Sequence, residues 1–194
     1  MLQMVKGCSV PDPALLQEGY QRTSTGFAAN VNAHKLQPLL EGFLKLHQES
    51  CFVILEVPTN AKEERPGIGP LHKDVYYLDD LTPERAAEFL EVFGPWLLED
   101  GLSSFGFGVH SGGNEILVGK YNVVTVYTKS PRKYKGFFEA QGISETRNLK
   151  TAWDYFTPDA PGDSFLYTYK GKNIYDMVEY LKQYGLYFAE RREV

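Results

Sequence analysis

Three apolar runs in the middle of the chain constrain its fold more than any other feature. They span residues 103–110, 115–118 and 123–128, and two turn-forming segments, SGGN at 111–114 and GKYN at 119–122, separate them. Connections this short join antiparallel strands, because a parallel connection needs a dozen residues or more. We therefore predict a three-strand antiparallel meander.

Helix and strand signals precede the meander. Leucine and phenylalanine at helical spacing predict a helix over 33–48, and the β-branched apolar run 51–57 predicts a buried strand. A hydroxyl cap followed by proline and an acid, TPE at 82–84, predicts the start of a second helix. The sequence GP at 94–95 is expected to kink or break this helix before 96–98, because proline has no backbone N–H to donate.

The two ends of the chain carry weaker signals. Residues 1–30 lack periodicity and predict an irregular N-terminal arm, and a shorter helix is expected over 131–141. At the C-terminus the sequence predicts a strand at 165–169, a helix that Asn173 caps, and a strand at 186–189. This strand–helix–strand order favours a right-handed parallel crossover, although strands this short leave the pairing open.

Together these elements predict one α+β domain over residues 1–194. We expect a mixed, largely antiparallel sheet, in which the three-strand meander packs against several helices, with a C-terminal strand–helix–strand unit. A long polar loop at 59–73, rich in glycine and proline, is expected to interrupt the regular structure.

The charge of the chain argues against some classes of partner. Lys and Arg number 20 against 25 Asp and Glu, which gives a net charge of -5 and a pI near 5.4. Nucleic-acid-binding proteins are usually basic, because neutralising phosphates supplies most of their affinity, so we expect no nucleic-acid partner. Residues 1–100 hold 8 basic and 15 acidic residues, a net charge of −7, which favours attraction of a basic partner.

Targeting, membrane and metal-binding signals are absent from the sequence. No apolar segment reaches the roughly 18 residues of a membrane span, and the first residues lack the apolar stretch of a signal peptide. Cys8 and Cys51 show neither disulfide-framework nor zinc spacing, and the four histidines form no metal-binding motif. We therefore expect a cytoplasmic protein that uses no metal or other cofactor and contacts no membrane.

Catalytic motifs are equally scarce, and one group of polar residues is the exception. The sequence contains no GxSxG nucleophile elbow and no phosphate-binding glycine motif. His110 and Glu115 flank a predicted hairpin tip, where a carboxylate could orient the imidazole for general-base chemistry. With His72 from the polar loop, they are candidate catalytic residues of a small hydrolase or transferase. The same residue types are also common in ordinary polar turns.

The stretch 74–128 has the combination of elements found in one class of proteins. It joins the helix sequence TPERAAEFLEVFGPWL to the strand sequences SSFGFGVH, EILVGKYN and VVTVYT. In this combination it resembles small cytoplasmic bacterial immunity proteins, whose genes lie beside those of polymorphic toxins. The resemblance implies a non-enzymatic protein that binds a toxin domain, and an acidic surface because many toxin domains are basic nucleases. It contains no motif from which contact residues could be transferred.

We therefore hypothesise a non-enzymatic protein-binding module, an immunity protein that neutralises a basic toxin domain by covering its surface. Acidic residues would steer the partner, and exposed tyrosines would anchor it. The candidate contacts are Glu63, Glu64, Asp79, Asp80, Glu84, Glu99, Asp100 and Tyr121. The alternatives are the hydrolase or transferase with its site at 110–115, and a small-ligand-binding domain lined by the aromatic residues that make up 14% of the chain. The identity of the partner and the oligomeric state remain open.

Overall fold

Ten β-strands are present in the computed structural model, which describes residues 1–59 and 71–193. They are β1 (Cys8–Ser9), β2 (Gly19–Arg22), β3 (Gly26–Asn30), β4 (Cys51–Pro58), β5 (His72–Leu81), β6 (Ser104–Val109), β7 (Asn114–Val118), β8 (Val123–Tyr127), β9 (Asp163–Ser164) and β10 (Tyr187–Glu193). Eight of them form one sheet in the order β10-β5-β4-β6-β7-β8-β3-β2, in which every neighbouring pair is antiparallel, and β1 pairs with β9 separately. The predicted α+β class and the meander, which is β6-β7-β8, are confirmed.

Helices cover one face of this sheet. The described part of the chain holds α1 (Ala33–Leu46), α2 (Pro83–Leu97) and α3 (Ile174–Lys182), and all three contribute to one large core. β6 turns Phe105 and Phe107 toward the helices, and the centre of the Phe89 ring on α2 lies 6.1 and 6.5 Å from the centres of those rings. Because successive strand residues point to opposite faces, only every second residue of each strand enters this core.

The second helix continues through the predicted break. Thr82 caps α2 as expected, since its hydroxyl accepts a hydrogen bond from the Arg85 N–H, but the helix extends through Pro95 to Leu97. The proline lies in the last turn, where it removes only one backbone hydrogen bond, and Leu97 is buried in the core. The Leu98 N–H donates to the Gly94 carbonyl and closes the final turn.

The N-terminal segment is more regular than its sequence predicts. Instead of an irregular arm, β2 and β3 form a hairpin at the edge of the sheet, where β3 pairs with β8. Phe27 lies opposite Val126 in this pairing, and both are buried. A contact between residues so far apart in sequence leaves no local signal, which explains why the periodicity of 1–30 does not predict it.

Two other predictions need correction. The expected helix at 131–141 is two short 3-10 turns, Pro131–Tyr134 and Glu139–Gln141, because Gly136 adopts a φ of 76° that no right-handed helix contains. Residues 165–169 do not form a strand. The strand before α3 is β9, which belongs to the small sheet, whereas β10 pairs antiparallel with β5, so the C-terminal unit contains no parallel crossover.

The predicted polar loop coincides with the gap in the described structure. Its central residues 60–70 lie outside the described ranges, and its last two residues already belong to β5. No helix within the described residues has both the length and the apolar character needed to cross a membrane.

The opposite face of the sheet, which we call the open face, carries none of the described helices. It has a small apolar cluster of its own, in which Phe52, Ile54 and Val75 are buried against Tyr77 and Leu117. These residues alternate with the core-facing residues of β4, β5 and β7, so the open face follows directly from the strand repeat.

A glycine in β6 shapes the open face. In the register of the sheet, Phe52, Gly108, Glu115 and Tyr127 follow one another across β4, β6, β7 and β8. A Cβ atom at Gly108 would lie only 2.2 Å from the Cζ atom of Phe52. The absent side chain therefore allows the Phe52 ring to lie across β6 toward Glu115.

We predict that the Gly108→Ala substitution lowers the free energy of unfolding by about 1–3 kcal/mol, the usual cost of overpacking. In a Phe52→Val background the cost is expected to fall to roughly half or less, because the ring that meets the added methyl group is gone. Urea unfolding of the wild type, both single variants and the double variant measures this coupling. Equal costs of Gly108→Ala in the two backgrounds would contradict the contact.

Candidate functional site

The open face contains a depression with a volume of about 560 Å³. We call it the sheet-face depression. It is lined by Phe52, Ile54, Glu56, Lys73, Tyr77, Val109, His110, Gly113, Asn114, Glu115, Leu117, Tyr127 and Arg192. This volume lies within the range of small-ligand sites, and the lining combines aromatic residues with several charged ones.

One buried carboxylate in the depression is neutralised by two cations. Glu56 is only 5% exposed, and its two oxygens lie 2.7 Å from Lys73 Nζ and 3.3 Å from Arg192 Nη1. Arg192 also donates from Nε to Glu190, at 2.8 Å. A buried charge is tolerated when it is paired and hydrogen-bonded, so this cluster ties β4, β5 and β10 together.

A second carboxylate in the depression has no such partner. Glu115 is half-buried on β7, and its side chain forms no hydrogen bond or ion pair with any of the described residues. Burial raises the pKa of this carboxyl group, and the negative charge of Glu56 raises it further, while Arg192 partly opposes both effects. Glu115 therefore keeps its proton to a higher pH than an exposed glutamate, and its ionised form gains from any cation that approaches.

Aromatic side chains surround this unpaired carboxylate. Burial raises the pKa of both Tyr77 and Tyr127, and in each case the charge of Glu115 is the second cause. The Phe52 ring packs edge-on against Tyr77, with 5.4 Å between the ring centres. A carboxylate and aromatic rings that line the same depression can together stabilise an organic cation.

A histidine–aspartate pair forms the rim of the depression. His110 Nε2 lies 3.4 Å from Asp79 Oδ1, and the Tyr187 hydroxyl donates to Asp79 Oδ2 at 2.5 Å. The His110 ring packs on Phe52 at 4.8 Å between centres and is largely exposed. Asp79 thus lies within ion-pair distance of an accessible imidazole next to the depression.

The predicted site residues are distributed unevenly. The structure brings Asp79, His110 and Glu115 to the open face, although they come from three separate elements, and Asp80 follows Asp79 at its edge. His72 lies at the opposite end of β5, about 23 Å from Asp79 at 3.3 Å per residue, and is not part of this group. Glu63 and Glu64 lie outside the described residues.

Two of the predicted contacts are buried, which corrects the expectation that they are accessible. Tyr121 is 4% exposed and packs between Trp153 and Phe156. Asp100 is 6% exposed and accepts three backbone hydrogen bonds, from the N–H groups of Leu102, Ser103 and Tyr167. These side chains stabilise loops, because their polar atoms already have internal partners.

The other predicted acidic residues lie away from the open face. Glu99 accepts a hydrogen bond from the Lys6 N–H and helps to hold the N-terminal segment. Glu84 is exposed on α2 together with Glu88 and Glu91, beside a groove of about 600 Å³ between α1 and α2. The residues of this row are exposed, as on an ordinary solvated helix face.

Sequence reasoning missed most of the depression, including Glu56, Lys73, Tyr77, Tyr127 and Arg192. Glu56 carried a signal, since it is the one charged residue in the apolar run 51–57. A charge inside a buried strand requires a cation from elsewhere in the fold. No local pattern shows that this cation includes Arg192, which is 136 residues away.

We predict that Glu115→Gln raises the melting temperature at neutral pH. An acid whose pKa is higher in the folded state than in the unfolded state destabilises the fold once it is ionised, and the neutral amide removes that penalty. The gain should shrink as the pH falls through the titration range of Glu115, because the wild-type side chain then becomes neutral too. Thermal unfolding between acidic and neutral pH measures this difference.

The groups that face Glu115 must remain in place for this comparison; they are Glu56, Lys73, Tyr77, His110, Tyr127 and Arg192. Glu145→Gln, at an exposed position outside the depression, is the matched control and should leave the melting temperature nearly unchanged. A Glu115→Gln protein that is less stable than the wild type at neutral pH would show that the carboxylate has a partner.

Comparisons with known proteins assign no family to this chain. No protein-family model, no curated protein and no solved structure matches it. What the protein does must therefore be inferred from the side chains of the open face and from the charge of the chain.

Proposed function

We propose that the chain is a non-enzymatic protein-binding module that receives a basic protein partner on the open face of its sheet. The observation that carries this proposal is the open face itself, which combines an aromatic and apolar floor with a charged depression. Antiparallel sheets often expose one face to water, but such a face is usually polar. A sheet face with an aromatic and apolar floor and charged groups around it has the composition of a protein interface.

The size of the open face suits such a partner. Eight strands at about 4.8 Å spacing span roughly 34 Å. A standard interface buries about 800 Å² on each protein, which corresponds to a patch roughly 28 Å wide. The width of the sheet is therefore comparable with that of such a patch, although residues 149 and 150 bond to Gln21 and Asn30 and cover its β2–β3 end.

The charge of the open face favours a basic partner. Among the residues that the structure describes, four carboxylates, Glu56, Asp79, Glu115 and Glu190, lie in or beside the depression with two cations, Lys73 and Arg192. This local excess agrees with the net charge of the whole chain, which is -5. Complementary charge speeds association and selects against acidic partners.

These properties support an immunity-type role in the cytoplasm of a bacterium. A protein that neutralises a toxin has to cover the toxin's active surface, and a broad sheet face can do so without catalysis. A basic toxin domain that acts on nucleic acid would match the acidic open face, because its own substrate-binding surface must attract phosphates.

We predict that capture of the partner depends on the open face and not on α2. The tagged protein would be incubated at low salt with lysate of the source organism, and bound proteins would be quantified by mass spectrometry. A triple variant of the open face, with Asp79→Asn, Glu115→Gln and Glu190→Gln, should retain about tenfold less of a basic, stoichiometric partner than the wild type.

The matched control removes three charges from α2 by Glu84→Gln, Glu88→Gln and Glu91→Gln. This control should retain the partner within about twofold of the wild type, since only long-range steering changes. A partner that is lost with the α2 variant and kept by the open-face variant would place the binding surface on the helices and refute the proposal.

A second candidate function is supported by the contact of His110 with Asp79. An exposed imidazole beside a carboxylate is suited to general-base chemistry, and the raised pKa of Glu115 is suited to an acid. This arrangement fits a small hydrolase or transferase. A hydrolytic activity that His110→Ala abolishes, in a chain that captures no partner, would favour this candidate over the binding module.

A further inference from the structure

We infer that Glu115 is the receptor for one cationic side chain of the partner, a lysine ammonium or an arginine guanidinium, which enters the sheet-face depression. This inference rests on the proposed function and adds the chemical group that the open face recognises. It is carried by the depression, by the unpaired carboxylate within it and by the aromatic rings around that carboxylate.

Among residues 1–59 and 71–193, the two cations that line the depression do not pair with Glu115. Lys73 is 2.7 Å from Glu56, and Arg192 divides its guanidinium group between Glu56 and Glu190. Both cations are thereby committed to other carboxylates. A cation supplied from outside would meet Glu115 without competition from an existing ion pair.

The walls of the depression suit an organic cation. Phe52, Tyr77 and Tyr127 line it together with Glu115, and the charge of Glu115 acts on both tyrosines. Aromatic faces attract ammonium and guanidinium groups through the negative charge of the ring face, and they also cover the alkyl stem of such a side chain. A lysine or arginine side chain combines both features.

The shape of the site leaves space for such a side chain. β6 presents Gly106 and Gly108 to the open face, so the middle of this strand, between β4 and β7, has no side chain there. The volume of about 560 Å³ exceeds what one lysine or arginine side chain fills, and the remainder can hold water.

Other ligand classes fit this site less well. An anion would have to displace Glu56 or Glu190 from Lys73 and Arg192. Among the described residues, no three His, Cys, Asp or Glu side chains lie close enough to form a metal site. A partner side chain with one positive charge complements the Glu115 carboxylate, which has no partner in the described ranges.

The test uses three small probes that differ only in the side chain. Nα-acetyl-lysine N-methylamide and Nα-acetyl-arginine N-methylamide carry the two cations, and Nα-acetyl-norleucine N-methylamide is the neutral analogue. NMR of the full chain, labelled with ¹³C and ¹⁵N, would follow the Glu115 carboxyl carbon and the backbone amides of β7 and β8 during each titration.

We predict that at least one cationic probe binds with a millimolar dissociation constant and lowers the midpoint at which Glu115 titrates, whereas the norleucine probe does not bind. The stronger of the two cations identifies the preferred side chain. Glu115→Gln should weaken that probe at least about tenfold, a loss typical of an unpaired charged contact. Glu145→Gln is the control and should bind like the wild type.

Several results would overturn the inference. They are equal binding of the norleucine probe, unchanged affinity in Glu115→Gln, or no shift of the Glu115 signal with either cation at about 50 mM. If the partner is captured through the open face but neither cation binds at Glu115, the proposed function stands and the anchor is refuted. If a cation binds at Glu115 but no partner is captured, the site stands and the protein-binding function is refuted.

Discussion

The backbone of β4 places successive side chains on opposite faces of the sheet, and the rest of the molecule is arranged around that constraint. Val53, Leu55 and Val57 enter the core beneath the helices, while the alternate positions supply Phe52, Ile54 and Glu56 to the open face. β4 pairs with β5 on one side and with β6 on the other. Its side chains therefore contribute both to the helix-covered core and to the open face. Glu56 then requires its two cations, and these fix β5 and β10 beside it.

The sequence predicts the features that depend on residues close together in the chain, and it misses those that depend on distant residues. The meander and the apolar helix stripes depend on neighbouring residues, and both were predicted. The hairpin of β2 and β3 depends on pairing with β8, about a hundred residues later, and the sequence does not predict it. Tyr121 is an example at a single residue. The predicted turn is present, but the Tyr121 ring packs inward against Trp153 and Phe156, which lie more than thirty residues later.

The residues of the candidate site also divide into those predicted from local sequence and those brought in by distant strands. His110 and Glu115 were predicted from a local hairpin pattern, whereas Tyr127 and Arg192 reach the depression only through the order of the strands. That order leaves Glu115 as a half-buried carboxylate without a partner among the described residues, at a cost to stability. Such a cost is commonly retained where function needs the group, and binding a cation from a partner would offset it.

The central claim is that the partner covers the open face, and hydroxyl-radical labelling of side chains in the isolated protein and in the captured complex tests it most directly. His110 and Tyr127 are exposed in the depression, whereas Tyr180 and Tyr184 are exposed on and beside α3, on the other side of the sheet. The complex is predicted to protect His110 and Tyr127 from labelling while Tyr180 and Tyr184 react as before. Protection of Tyr180 and Tyr184 with unchanged labelling of His110 and Tyr127 would contradict the account.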